Sequence, residues 1–108
     1  MVLDTIDRRP HNSAMKTTAE LLYHEKRTHA GGTIEMVVWR VLEPIPPSEH
    51  PFKYRLVFVR NGKRVVGYDN ERGKGDHKHV GNAEQPYIFM DETQLLKDFW
   101  QDVKEATK

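Results

Sequence analysis

Functional groups that could do chemistry are concentrated in one segment of the chain, residues 68–81. The segment directly follows strand-like residues, so we expect a loop or hairpin held by a rigid sheet, which is where functional sites concentrate. Its acidic, basic and amide residues are Asp69, Asn70, Glu71, Arg72, Lys74, Asp76, His77, Lys78 and His79. Its glycines do not form a nucleotide phosphate loop, because no Gly-Lys-Ser/Thr step and no helix follow them.

Two histidines separated by one residue are the main reactive feature of this segment. If residues 77–79 are extended, His77 and His79 point to the same side of a strand, because side chains alternate along it. The two rings could share a metal ion of the zinc or manganese type, with Asp69 or Asp76 as a further ligand. A His-x-His step arises easily by chance, and no second ligand pair accompanies it, so we predict no metal ion and no cofactor.

Metal-independent cleavage of RNA is the chemistry that these residue types fit best. It needs a base for the 2′-hydroxyl, an acid for the leaving oxygen and cations for the charge that develops on the phosphate. We predict His77 and His79 as base and acid, with Asp69 or Asp76 orienting a ring. The residues predicted to bind the substrate are Asn70, Arg72, Lys74 and Lys78. The alternative is a solvated basic hairpin tip whose histidines have no specific role.

The other histidines and one basic strand are secondary candidates. His24 is expected to be a packed or edge residue, whereas His29 and His50 are expected to be solvated. A phosphate backbone could follow the basic side chains of one predicted strand, which could equally form a solvated face. These side chains are Lys53, Arg55 and Arg60.

The surrounding pattern predicts a sheet that positions this segment. Alternation and turn residues predict strands over 19–28, 33–42, 52–60, 63–69 and 87–90. The glycine-punctuated segment 70–82 is not expected to be a strand throughout. Gly31 and Gly32 are predicted to supply the positive φ angles of the first connection, and Asn61-Gly62 predicts a type I′ hairpin turn.

A C-terminal helix completes the predicted fold. Asp91 is the expected N-cap of an amphipathic helix over 92–106. We therefore predict an α+β fold, an antiparallel sheet of four to five strands in meander order with this helix packed on one face. Residues 1–15 are expected to be a flexible tail before a single domain over 16–108, and a short helix over 2–9 is the alternative. Strand 33–42 has apolar residues on both faces, which predicts either a second covering layer or a homodimer.

Length and composition exclude several classes of protein. A chain of 108 residues fits one domain, and the absence of cysteine excludes disulfides, thiolate zinc sites and iron–sulfur clusters. No apolar run approaches the length of a membrane span. Residues 52–81 hold eight Lys and Arg against three Asp and Glu, whereas residues 82–108 hold three against six. The predicted hairpin is thus basic and the predicted helix acidic.

Four stretches of the chain resemble the TumE family of small bacterial toxins. They are EMVVW (35–39), FKYRL (52–56), YDNERGKGDHKH (68–79) and PYIF…LLKDFWQDV (86–103). The resemblance covers about residues 16–104. It implies a cytoplasmic toxin of a toxin–antitoxin pair, directed at RNA and partnered by a helix-turn-helix antitoxin. The alternative function is a non-enzymatic module whose basic hairpin binds nucleic acid or an acidic protein.

Overall fold

The computed structural model describes residues 19–108. The elements in this range are β1 (Ala19–His29), β2 (Gly32–Val41), β3 (Phe52–Arg60), β4 (Lys63–Glu71), β5 (Gly75–Val80), β6 (Ala83–Pro86) and α1 (Glu92–Ala106). The predicted tail over 1–15 and the alternative helix over 2–9 lie outside the described residues. Among residues 19–108, no helix has both the length and the apolar character needed to cross a bilayer.

The strands form one antiparallel sheet in the order β1-β2-β3-β4-β5-β6. The predicted α+β class, the meander order and the C-terminal helix are therefore confirmed. The predicted count of four to five strands is wrong, because the described residues contain six. Each strand pairs with its neighbours in sequence, so the segment with the candidate site lies in hairpins at one side of the sheet.

The error in strand count comes from the glycine-rich segment. Residues 87–90 form no strand, whereas β5 and β6 lie almost entirely in residues that the sequence left irregular or unassigned. Gly73, Gly75 and Gly81 have positive φ angles and lie in or beside the turns that bound β5. The glycines therefore mark the turns between short strands and do not interrupt pairing along the whole segment.

The two predicted hairpin turns differ in how well the sequence described them. Asn61 and Gly62 have φ angles of 55° and 74°, which confirms the predicted type I′ turn. In the first connection the positive φ angles belong to Ala30 and Gly31, so the prediction is confirmed for Gly31 and wrong for Gly32. Gly32 lies in β2, where a Cβ atom would come within 2.3 Å of the Val59 carbonyl oxygen. Glycine is therefore required at position 32, because any side chain there would collide with the backbone of β3.

Helix α1 packs on one face of the sheet and closes the core. Its N-cap is Asp91, as predicted, and the side chain accepts a hydrogen bond from the Gln94 N–H at 2.8 Å. The buried side chains that the helix and the sheet share are Ile34, Met36, Val38, Tyr54, Leu56, Phe58, Val66, Tyr68, Leu95, Phe99 and Val103. Burial of this apolar set is the main stabilising contribution to the fold.

The opposite face of the sheet carries the candidate site and is called the site face. Side chains alternate along a strand, so the neighbours of core residues such as Leu56 and Tyr68 point to this face. One row across all six strands consists of His24, Val37, Arg55, Asp69, His77 and Pro86. Trp39 also lies on this face and is partly buried. Its cover by a second layer or by a homodimer stays a prediction.

Candidate functional site

The hairpin of β4 and β5 brings Asp69 and His77 together. The two residues are direct partners in the antiparallel register. A tight turn joins the strands, in which the Lys74 N–H donates to the Glu71 carbonyl at 3.0 Å. The proline-rich loop between β2 and β3 holds this turn, because the Gly73 N–H donates to the Pro46 carbonyl at 2.8 Å. The turn is thus fixed from both sides.

His77 is a buried histidine with both ring nitrogens engaged. Its side chain is only 6% exposed. Nδ1 lies 2.9 Å from the Gly75 carbonyl oxygen, which can only accept, so Nδ1 carries a hydrogen and donates. Nε2 lies 2.7 Å from Oδ1 of Asp69. The contact is short but poorly aligned, and Oδ1 of Asp69 is buried without an aligned donor.

His79 lies beside His77 and meets a carboxylate that the sequence did not suggest. The two rings are on the same side of β5, as predicted, with centroids 5.3 Å apart. Oε2 of Glu84 lies 3.5 Å from Nε2 of His79 and 3.7 Å from Nε2 of His77. Glu84 is the register partner of His79 on β6. Because β6 was not predicted, only the recognition of a further hairpin could have revealed Glu84.

Lys74 completes this group from the turn. Its Nζ atom lies 2.6 Å from Oε2 of Glu84. The hydrogen bond from Lys74 holds the pKa of Glu84 below its usual value, and the same bond raises the pKa of Lys74. An open pocket of about 310 Å³ lies beside these side chains. Its lining includes Lys74, His77, Glu84 and Pro86. The name histidine cluster is used below for Asp69, Lys74, His77, His79 and Glu84 together.

Asp76 points away from the histidine cluster into a buried polar network on the helix face. It accepts hydrogen bonds from the Ser48 hydroxyl, from the Tyr54 hydroxyl at 2.7 Å and from His50 Nε2 at 2.7 Å. Burial alone would raise the pKa of Asp76, but these three hydrogen bonds outweigh it and lower the pKa below its ordinary value. Of the two predicted aspartates, only Asp69 therefore contacts His77 or His79.

The prediction that His29 and His50 are solvated is wrong, because both rings pack against aromatic side chains. His50 stacks on Phe89 with centroids 3.8 Å apart, and its Nδ1 accepts from the Phe52 N–H at 3.2 Å. Its Nε2 therefore carries the hydrogen that is donated to Asp76. The ring of His29 packs edge-on against Trp100 at 5.1 Å. A sequence reading misses both roles, because the aromatic partners lie far along the chain.

His24 is an exposed residue of the edge strand β1, within the alternatives predicted for it. Its side chain is half-exposed, and its Nε2 lies 3.3 Å from Oε2 of Glu35. His24 lies on the site face in the row that contains His77, three strands away from β4. It is therefore a histidine outside the histidine cluster with a comparable carboxylate neighbour.

Three of the predicted substrate-binding residues are placed apart from the histidine cluster. Asn70 is fully buried, and its side-chain amide forms hydrogen bonds with backbone groups of β3. Lys78 points to the helix face, where Nζ lies 3.0 Å from Oδ2 of Asp102. Arg72 is exposed beside an apolar groove that Leu42 and Ile45 also line. Of the four residues, Lys74 alone meets the two histidines through a shared partner, Glu84.

Fold and site together define a small α+β protein with a histidine–carboxylate cluster on the helix-free face of one antiparallel sheet. Residues 8–107 match the model of the family described as Toxin TumE. The chain therefore belongs to the TumE toxin family, and it is the toxin component of a toxin–antitoxin pair with a cognate antitoxin. The match begins within the segment predicted to be a tail. No curated protein and no solved structure matches the chain.

Proposed function

We propose that this toxin acts on RNA as a metal-independent ribonuclease through the histidine cluster. The observation that carries the proposal is the pair of neighbouring imidazoles, His77 and His79, each with a carboxylate within 4 Å. Histidine exchanges protons near neutral pH, so two such rings side by side can serve as base and acid in one reaction. The open pocket that His77, Lys74 and Glu84 line gives a substrate access to the ring of His77.

The proposed reaction is a transesterification within the RNA strand. One imidazole removes the proton of the 2′-hydroxyl, and the 2′-oxygen forms a bond to phosphorus. The bond from phosphorus to the 5′-oxygen breaks, and the second imidazole protonates that oxygen. The products are a 2′,3′-cyclic phosphate and a 5′-hydroxyl. The rings of His77 and His79 differ in access, because their side chains are 6% and 17% exposed.

The cations of the site face support binding of the phosphate. Lys74 is half-exposed at the mouth of the pocket, and Arg55 is the register partner of Asp69 on β3. Positive charge at these points stabilises the negative charge that develops on the phosphate in the transition state. In this scheme Asp69 orients the ring of His77, while Asn70 and Asp76 hold the hairpin in place.

The finer features of the partner belong to the same proposal. A helix-turn-helix antitoxin would neutralise the toxin by covering the site face, and a homodimer would cover the apolar part of that face around Trp39. The helix-turn-helix type rests on the family resemblance, and the partly buried apolar side chains on this face support its cover by a partner or by a second copy. A mixture of purified toxin and antitoxin that still cleaves RNA would contradict the first of them.

The test is cleavage of RNA by the purified protein in the presence of a chelator. We expect cyclic phosphate ends in the products, and no cleavage of a strand with 2′-deoxynucleotides. A variant carrying His77→Ala and His79→Ala should lose about 10²–10⁴-fold in rate, the usual contribution of acid–base groups. The matched control is His24→Ala, which removes an exposed histidine of the same face.

Two results would contradict the proposed function. The first is intact RNA in the presence of folded wild-type protein that inhibits growth when expressed. The second is cleavage or toxicity that the double variant retains. Binding of RNA without cleavage would instead support the non-enzymatic module, whose basic hairpin binds nucleic acid.

A further inference from the structure

We propose that His77, His79 and Glu84 form a binding site for a divalent transition-metal ion of the zinc type. The three side chains each offer one ligand atom, and these atoms lie within 4.8 Å of one another. Two imidazoles and one carboxylate are a donor set that Zn²⁺ accepts, with further positions left for water. The inference does not need RNA cleavage to hold.

The spacing of the ligand atoms fits one ion. Neighbouring ligands of a tetrahedral zinc ion lie about 3.4 Å apart, because zinc–nitrogen and zinc–oxygen bonds are about 2.0–2.2 Å long. Oε2 of Glu84 lies 3.5 Å from Nε2 of His79 and 3.7 Å from Nε2 of His77. Small side-chain movements are thus enough for the three atoms to bind an ion together.

The hydrogen bonds of His77 also favour a metal at Nε2. A histidine that binds a metal usually donates its other ring N–H to a carbonyl or carboxylate, which fixes the ring. Here Nδ1 donates to the Gly75 carbonyl at 2.9 Å. Nε2 then faces Oδ1 of Asp69 at 2.7 Å, and that buried oxygen has no aligned donor. A metal ion at Nε2 would place a positive charge next to this buried carboxylate oxygen.

A second set of three residues competes for the same ring nitrogen. Asp69, Glu71 and His77 also offer atoms within 4.8 Å of one another. Because Nδ1 of His77 is engaged, Nε2 can serve only one of the two sets. The set with His79 is favoured, since it offers two imidazoles, which suit Zn²⁺, whereas the other set offers one imidazole and two carboxylates.

Lys74 acts as an internal competitor for this metal site. Its Nζ atom lies 2.6 Å from Oε2 of Glu84, on the oxygen that would bind the ion. The Lys74 side chain is half-exposed and can move into solvent when a metal ion replaces it. Removal of the ammonium group should therefore strengthen metal binding, which a merely structural role of Lys74 would not predict.

The metal site has a consequence that rests on the proposed function. An ion on Nε2 of His77 and Nε2 of His79 occupies the nitrogen atoms that exchange protons with RNA. Zn²⁺ would then inhibit the toxin, and a chelator would restore its activity. Metal binding is measured without RNA, so failure of the ribonuclease proposal and failure of the metal site can be told apart.

The test is calorimetric titration of the full chain with ZnCl2 in a buffer that does not bind zinc. We expect one ion per chain and a lower dissociation constant for Lys74→Ala. Loss of a residue that only contacts a metal ligand weakens binding about 10–100-fold. His79→Ala and Glu84→Gln remove ligands themselves, so each should weaken zinc binding by more than that. His24→Ala is the matched control and should bind as the wild type does. Circular dichroism establishes that each variant is folded.

Several outcomes would overturn the metal site. These are no heat of binding by the folded wild type, binding that His79→Ala and Glu84→Gln retain, and binding that His24→Ala abolishes. A Lys74→Ala variant with weaker binding would contradict the competition between the ammonium group and the ion.

Discussion

Nε2 of His50 lies 2.7 Å from Oδ2 of Asp76, and this contact joins the proline-rich loop to strand β5. The loop also contacts the turn at the end of β4, since the Pro46 carbonyl accepts from the Gly73 N–H. Asp76 precedes His77, so the contact determines where the histidine cluster begins on β5. The position of the histidine cluster therefore depends on the proline-rich loop, although no side chain of that loop belongs to the cluster.

His50→Ala should destabilise the fold and loosen the hairpin. The change leaves the buried oxygen of Asp76 short of a donor and removes the ring that stacks on Phe89. Loss of a hydrogen-bond partner from a buried group costs about 1–3 kcal/mol. Urea unfolding of the variant measures the change, with His24→Ala as the exposed control. Coincident unfolding curves for His50→Ala and the wild type would contradict it.

Asn70→Leu should be destabilising without a direct effect on a substrate. Oδ1 of Asn70 accepts from the Tyr54 N–H at 3.0 Å, and Nδ2 donates to the Phe52 carbonyl at 2.8 Å. The side chain thus takes the place of a strand partner, and each buried backbone group left unpaired costs about 1–3 kcal/mol. Unfolding by urea measures the loss.

The same variant tests the sequence prediction that Asn70 binds substrate. If its role is structural, the folded fraction of Asn70→Leu binds RNA as the wild type does, measured at low temperature where the variant is folded. Weaker binding with unchanged stability would return Asn70 to the substrate-binding residues.

Gly75→Ala should destabilise the protein more than Gly73→Ala. Both glycines have φ angles near 80°, so both variants carry the strain of a left-handed residue, about 1 kcal/mol or more. A Cβ atom on Gly75 would lie 3.1 Å from Cγ of Pro47, whereas one on Gly73 would meet nothing within 4 Å. The difference between the two midpoints of unfolding isolates the contact with Pro47. Equal midpoints would mean that the loop moves without cost.

The protein should unfold in alkali as buried tyrosines ionise. Burial, and hydrogen bonds to Asp76 and Asp98, raise the pKa values of Tyr54 and Tyr87 well above the ordinary value. In the unfolded chain tyrosine ionises near pH 10, so the unfolded state loses protons first as pH rises. The stability from these groups is complete below about pH 10 and is lost above it.

The measurement for this prediction follows tyrosinate absorbance and circular dichroism in one alkaline titration. We expect the absorbance of the buried tyrosines to rise only where the dichroism of the sheet is lost. Tyr87→Phe should make the stability less dependent on pH in this range. Full tyrosinate absorbance with an intact sheet would contradict the raised pKa values.

The sequence predicts those parts of the fold that local patterns encode. Asn61-Gly62 and the Asp91 cap are local signals, and both are confirmed, as are β2, β3 and the helix. β5 and β6 were missed because they are short and begin or end beside glycines, and their pairing with β4 and with each other is what makes them strands. Local propensity is weak evidence for such strands.

In the candidate site, too, the sequence predicts what local alternation encodes and misses what depends on strand register or on distant contacts. That His77 and His79 share a face follows from alternation alone, and the structure confirms it. The choice between Asp69 and Asp76 required the register of β4 and β5, which places Asp69 opposite His77. Glu84 and His50 required contacts between segments far apart in the chain, which no local pattern records.

The alternation along β5 has a genetic consequence. His77 and His79 lie on the site face, while Asp76 and Lys78 bond partners on the other face. Insertion or deletion of one codon within β5 would exchange the two sets, since a shift of one residue turns every later side chain over. Such a one-codon change in β5 should therefore abolish the toxicity of an expressed copy of this gene, although it preserves the reading frame.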